Sequence, residues 1–279
     1  MPEKAGKSKR CLDTSTGANE TSWYNAEDHW EEIRSFCKSW DGVRNLNLVS
    51  VFDRSKKMSQ KWVRQGLAAA AYDINHDAVG MDLVTHIGFF TLLSLLMQLL
   101  PGALSFWAPP CSLFIFLTSS LHLRHLYGPR GNVAQYAVRL SNRISMNACM
   151  ALKATLKFRS DCQIMAEQPS GSWLFKDDHW QKIIAGFHLH KSLTYQGLFG
   201  CPIPKPTHLL HSFRRDATFA RKLTKKLREK HRFNKDAQKV YYIKSSDGHV
   251  QGTKMLTKTS VYPAGFVNII FRAWQENAK

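Results

Sequence analysis

The chain is short of acidic side chains. Against 39 lysines and arginines stand 21 aspartates and glutamates, leaving a formal charge of +18 over 279 residues. Such an excess favours a polyanionic partner, either nucleic acid or an anionic membrane surface. Paired cysteines are also lacking. Cys11, Cys37, Cys111, Cys149, Cys162 and Cys201 are scattered without a CxxC, which argues against a disulfide framework or a zinc knuckle. The same scatter suits a reducing, intracellular compartment, the nucleus among the candidates. Met1 to Ser22 has no apolar h-region and is rich in Lys, Ser, Thr and Gly. It reads as a disordered lead-in rather than a secretory signal.

Between Asp82 and Arg124 there is no formal charge at all, so a membrane reading must be weighed. The stretch is broken, however, by Pro101-Gly102 and again by Pro109-Pro110. The 14 residues from Ile87 to Leu100 would span about 21 Å as a helix, against about 30 Å for the hydrocarbon core. A buried helix followed by a buried strand fits better, and no integral membrane insertion is expected.

What is present is an alternation of strand and helix patterns. Asn25 to Trp40 carries an apolar stripe, with acids early and Lys38 late, and predicts an amphipathic helix. Leu46 to Phe52 reads as a buried strand, Lys56 to Gln65 as a helix closed by Gly66, and Leu67 to Tyr72 as a second strand. A long apolar helix is expected over Leu83 to Leu100, then a strand over Ala103 to Trp107. Another helix is expected from about Ala134 to Phe158. Cys162 to Ala166 predicts a further strand that ends on Glu167-Gln168-Pro169. Strands separated by helices call for a mostly parallel sheet with helices on both faces. In such sheets ligands bind beyond the carboxyl ends of the strands.

Four of those strand ends carry a polar or reactive residue: Asp53, Asp73, Cys111 and Glu167. Cys111 is the most telling. The Pro109-Pro110 pair stops its strand, because neither proline can donate to a ladder, and one thiol is then displayed at the turn. A buried structural cysteine is the alternative there, and turn-capping roles are the alternatives for Asp73 and Asp82. His188, His190, His208 and His211 lack the acidic or cysteine partners of a recognised metal motif, so no metal is expected.

The order of these strand ends resembles the S-adenosylmethionine-dependent cytosine-5 DNA methyltransferases, in a divergent form. The matching positions are Phe52-Asp53-Arg54-Ser55, then Asp73, Asp82, Pro110-Cys111 and Glu167. Phe199 to Thr207 looks like the Lys-Pro-Thr segment of divergent members. Leu256 to Phe266 resembles the C-terminal helix that folds back toward the cofactor. The likeness spans roughly Val43 to Gln275, with the basic insert near Arg214 to Gly252 unmatched. It implies Cys111 as nucleophile and Glu167 as acid, with Phe52, Asp53, Ser55, Asp73 and Asp82 holding S-adenosylmethionine. Pro110, Ser112, Lys205 and Thr207 would meet the substrate. The chemistry needs these residue types. Cytosine carbon-5 becomes nucleophilic only after a thiolate adds to carbon-6, while an acid of raised pKa relieves the charge on the ring. The base must first leave the duplex.

The chain departs from the family in its cofactor loop, where Asp53 to Lys57 contains no glycine. It also carries Glu167-Gln168-Pro169 for the usual Glu-Asn-Val and has no Gln-x-Arg-x-Arg segment. The expectation is thus a doubly wound, Rossmann-like α/β methyltransferase sheet over residues 23–212. A basic insertion over 213–258, read as helical, and a C-terminal helix over 259–279 complete it. From Lys205 to Lys258 there are 15 Lys/Arg and 4 Asp/Glu. Phe213, Phe219, Leu223, Leu227 and Phe233 are interleaved with them, which suits phosphate contacts. Nucleic acid, DNA before RNA, is the expected partner. A catalytically inactive nucleic-acid-binding relative is the alternative function, and a membrane-associated protein the third.

Overall fold

Leu46–Val51 (β1) is a strand whose last four side chains are shut from water, and the reason is that both its faces are covered. Val49 and Val51 enter one apolar core, and Leu48 enters another. The neighbouring strands β3 (Leu99–Trp107) and β4 (Gln163–Pro169) divide in the same way. Ala103, Trp107, Ile164 and Ala166 face the first core; Leu104, Phe106 and Met165 face the second. This is period-2 alternation in a sheet packed on both sides. In the computed structural model, residues 22–214, 219–231, 233, 242–244, 250–252, 256 and 258–278 are described.

The sheet has six strands in the order β2-β1-β3-β4-β6-β5. β2 (Ala69–Tyr72), β1, β3 and β4 run parallel. β6 (Pro206–His211) lies antiparallel to both β4 and β5 (His190–Tyr195). The first core is closed by α1 (Trp30–Ser39), α3 (His86–Met97), α6 (Tyr136–Phe158) and α7 (Asp178–Gly186). On the second face α2 (Lys57–Val63) packs against the C-terminal helix α9 (Ala264–Asn277). There the Trp62 ring meets Phe271 edge-on at 4.8 Å and Trp274 at 5.4 Å. Two single-turn helices, α4 (Ser119–His122) and α5 (Arg124–Tyr127), follow β3. Within the basic region lie a short helix α8 (Lys225–Lys230) and a two-stranded pair, β7 (Tyr242–Lys244) with β8 (Val250–Gly252). The alternating α/β architecture is therefore as expected, with a six-stranded, mostly parallel sheet flanked by helices.

Several boundaries differ, each for a tertiary reason. The first helix begins at Trp30 rather than Asn25. Asn147, fully buried on α6, ties the preceding segment down as a turn: its side chain accepts from Ala26 N and donates to Tyr24 O and Leu83 O. The apolar helix stops at Met97, and Pro101-Gly102 falls inside β3 rather than before it. The register between β1 and β3 shifts there, so the pair is absorbed as a bulge. β4 runs on through Pro169 because β6 pairs with it, Glu167 opposite Leu209 and Pro169 opposite Thr207. Neither β5, β6 nor α7 is expected from the sequence pattern. The basic region is not uniformly helical, since β7 and β8 interrupt it. Of the lead-in over Met1 to Ser22, expected to be disordered, all but Ser22 lies outside the described residues, as do residues 215–218, 232, 234–241, 245–249, 253–255 and 257 of the basic region. Among the described residues no helix is long and apolar enough to cross a membrane.

Candidate functional site

The chain passes from β1 leftward to β2 and then returns to place β3 on β1's other side. That reversal opens a crevice beyond the carboxyl ends of β1 and β3, where open α/β sheets bind ligands. A cleft of about 750 Å³ lies there.

Its first wall is the turn after β1. Phe52 and Lys56 sit in the left-handed region, at φ 65° and 55°, each at a cost of roughly 1–2 kcal/mol for a residue with a side chain. Asp53 is only 3% exposed, and its Oδ2 accepts from Ser59 N at 3.0 Å, capping α2. Its Oδ1 is shut from water and has no hydrogen-bond donor among the described residues. Ser55 is half-buried beside it, its Oγ accepting from Lys57 N.

The second wall follows β2. Asp73 is buried and accepts from Asn75 N at 2.9 Å, an Asx turn. Asp82 accepts from Val84 N at 3.2 Å. Thr85 caps α3 by accepting from Gly88 N at 3.0 Å. Gly88 is needed here because a Cβ would run into the Asp82 carbonyl. Tyr72 fixes the same turn, its hydroxyl donating to the Gly88 carbonyl at 2.9 Å.

The third wall carries the chemistry. After Trp107 the chain runs through Ala108-Pro109-Pro110 to Cys111, which is half-buried. Consecutive residues of β4 serve this loop from opposite sides. The Gln168 amide donates to the Pro109 carbonyl at 2.6 Å and is itself held by the Ser172 hydroxyl at 2.9 Å. Glu167 points into the cleft, where Gln196 Nε2 donates to one carboxylate oxygen at 3.0 Å and the Tyr262 hydroxyl to the other at 2.9 Å. Lys205, also left-handed at φ 42°, donates from Nζ to the Thr259 carbonyl at 2.9 Å.

Burial pushes the Cys111 thiol up to about 11, the Glu167 charge adds to this, and Lys205 opposes it. The Glu167 carboxyl is likewise raised by burial, against the opposing pull of Lys205, Tyr262 and Gln196. An acid held above the usual glutamate range beside a protonated thiol is a pair able to exchange protons with a ligand between them.

Of the sequence-derived candidates, Phe52, Asp53, Ser55, Asp73 and Asp82 line the cleft. So do Pro110, Cys111, Glu167 and Lys205. Two do not. Ser112 is exposed and lines a separate cavity of about 110 Å³ behind the Pro-Pro turn. Thr207 is fully buried, its hydroxyl donating to the Lys205 carbonyl and accepting from Gln196. It supports the Lys205 turn instead of facing a ligand. Sequence reasoning missed Gln196 and the part Tyr262 plays on Glu167. Tyr262 falls in the segment expected to fold back, and a buried tyrosine needing an acceptor was the available signal. Gln196 carried none. Arg124 was missed as well. Fully buried, it donates to the carbonyls of Leu113 and Pro129, to Ser141 and to Asn142, and it lies 3.8 Å over the Phe114 ring. It shapes the whole loop that follows Cys111.

No protein-family model matches the chain, and no curated protein matches it.

Proposed function

We propose that this chain is a Rossmann-like methyltransferase that uses S-adenosylmethionine to methylate carbon-5 of cytosine in nucleic acid, DNA before RNA, through a Cys111 adduct. The observation that supports it is convergence. Five separate segments, at the ends of β1, β2 and β3, before α3 and on β4, place their polar residues in one cleft at the sheet's reversal point.

The residues fit the cofactor in one checkable respect. Acidic side chains, Asp53, Asp73, Asp82 and Glu167, gather where a cationic, hydroxyl-bearing ligand needs acceptors. Phe52 to Ser55, Asp73 and Asp82 would hold S-adenosylmethionine, which supplies an electrophilic methyl group when bound. The other steps belong to the chain. The Cys111 thiol would give its proton to solvent and add to carbon-6 of the flipped base; once carbon-5 carries the methyl group, loss of the carbon-5 proton to solvent would expel the thiolate and restore the ring. Glu167, protonated, gives its proton to ring N3 as the negative charge develops. Gln196 and Tyr262 keep the carboxyl oriented, and Gln168 keeps the nucleophile's loop in place. Lys205 and Pro110 would bound the base.

A second reading, a relative that binds nucleic acid without turnover, is favoured by the turn after β1. It carries side chains from Asp53 to Lys57 where the family has glycine, and the Cys111 thiol is held protonated. Two experiments divide the readings. Calorimetric titration with S-adenosylmethionine should give heat; none from folded protein would sink the enzyme. An oligonucleotide containing 5-fluorocytosine should trap a covalent adduct that C111A abolishes. DNA binding that weakens steeply with salt, with neither heat nor adduct, would select the inactive binder.

A further inference from the structure

The basic region is fastened to the rest of the molecule by two buried phenylalanines. Phe219 is fully buried in the second core, edge-on to His211 at 5.0 Å. Phe233 is buried against Gly197, where a Cβ would run into its ring. Gly197 belongs to the single turn Gln196–Phe199, whose first residue holds Glu167. Between the two anchors Thr224 caps α8 by accepting from Leu227 N at 3.3 Å, and Phe233 N donates back to the Arg228 carbonyl at 3.0 Å. The side chains of residues 221–230 face water, except Leu223 and Leu227, which are half-buried. Arg221, Lys222, Lys225, Lys226, Arg228 and Lys230 are thus exposed together, with Glu229 as the one acid among these ten residues. Among the described residues none of the six enters an ion pair, and Arg221 lies 5.5 Å over the Phe199 ring.

Holding like charges side by side costs self-repulsion, which a polyanion relieves. Duplex nucleic acid presents one phosphate charge per about 1.7 Å of its axis, a density that six cations in ten residues complement. A lipid surface suits the run less well. Helices that lie in membranes expose an apolar face, whereas every exposed side chain from 221 to 230 is polar. The same surface lacks the means to read bases. It has no asparagine or glutamine to pair with adenine edges, and four of its six cations are lysines, without arginine's bidentate fork. Phe219 and Phe233 are buried, and His231 stacks on Phe233 at 5.5 Å, so these rings offer no platform for unstacked bases. We propose that residues 221–230 form a sequence-blind phosphate clamp, gripping the backbone of duplex nucleic acid from an arch fastened to the turn that holds Glu167. This rests on the nucleic-acid part of the reading above and deepens it: affinity comes from the clamp, and any choice of base falls to the cleft.

The test is a fluorescence-anisotropy titration of the full chain with short DNA duplexes of unrelated sequence, repeated over a range of salt. K225Q/K226Q/K230Q removes three charges from the clamp. K38Q/K182Q/R272Q removes three from equally exposed positions on α1, α7 and α9, and both variants are compared once their thermal melting matches the parent's. The clamp variant should bind about tenfold or more weakly at low salt, and its plot of log affinity against log salt should be shallower by about 2–3, the share of three phosphate contacts. The control variant should keep the parent's slope to within about one. Any preference between the duplexes should be the same in the parent and the clamp variant. A clamp variant that binds like the parent, or a control that weakens binding as much, would overturn the clamp. A preference that the clamp variant alone loses would show that the arch reads bases and overturn its blindness. Binding to phosphatidylserine vesicles in preference to duplexes would overturn nucleic acid as its occupant. Each of these leaves the methyl-donor reading to its own titration, whereas no duplex binding even at low salt would overturn the clamp and the nucleic-acid substrate together.

Discussion

The thiol of Cys111 offers the sharpest test of the site, because its reactivity can be read without any substrate. Burial and the Glu167 carboxylate push it up to about 11, from an ordinary thiol value of 9.0. At pH 7.5 that leaves about one thiolate in 3,000, against about one in 30 for an ordinary thiol, a hundredfold deficit. The more basic thiolate is the better nucleophile by roughly eightfold, taking a Brønsted slope of 0.4–0.5 over those two units. Alkylation by iodoacetamide should therefore run about tenfold slower than for a free thiol at pH 7.5. It should also keep rising about tenfold per pH unit through pH 10, where an ordinary thiol levels off. Cys37, Cys149, Cys162 and Cys201 are buried, so in a C11S background mass spectrometry reports Cys111 alone. E167Q removes the carboxylate's charge and should move the midpoint of the rate profile to lower pH. A profile levelling near pH 9, or one that E167Q leaves in place, would refute the account of how this cysteine is held protonated.

Glu167 should also reveal itself in stability. Its folded pKa lies above the ordinary 4.5, so its contribution is full below that pH and is lost as pH rises through the folded value. E167Q should then melt higher than the parent at pH 7.5, by roughly 2–4 °C per kcal/mol gained, with the difference gone by pH 4. Arg124 should be the opposite case. R124M strands acceptors at Leu113, Pro129, Ser141 and Asn142 and should cost about 3–5 kcal/mol in urea unfolding; a loss under 1 kcal/mol would mean the loop after Cys111 is held by something else. K56G should stabilise by roughly 0.5–1 kcal/mol, the relief of a left-handed lysine less glycine's entropy. Lys56 is exposed and its side chain makes no cap hydrogen bond, so a lower melting temperature in K56G would show that its backbone is not strained.

Much of the architecture was legible in the chain because it is written in local periods. A strand buried on both faces reads as an apolar run, as in Leu46 to Phe52, and a helix as a stripe, so β1 to β4, α2, α3 and α6 could be anticipated within a few residues. The order of polar residues at strand ends was legible too, and nine of the eleven residues so chosen line one cleft. Strand His190–Tyr195 was not, since its alternation is weak and its partner β6 was masked by Pro202, Pro204 and Pro206.

What the sequence by itself determined is the succession of strand and helix and the kind of side chain at each strand's end, since these depend on neighbours within a few positions. Only the tertiary structure decided which residues share the cleft and in what state. The Tyr262 hydroxyl reaches Glu167 across 95 residues, Gln196 reaches it across 29, and Gln168 reaches Pro109 across 59. Thr207 was turned inward by the pairing of β6 with β4. The buried oxygen of Asp53 and the raised thiol of Cys111 depend on burial by the packed whole. Desolvation and long-range hydrogen bonds arise only when distant segments close around a site, and no local pattern of residues encodes them.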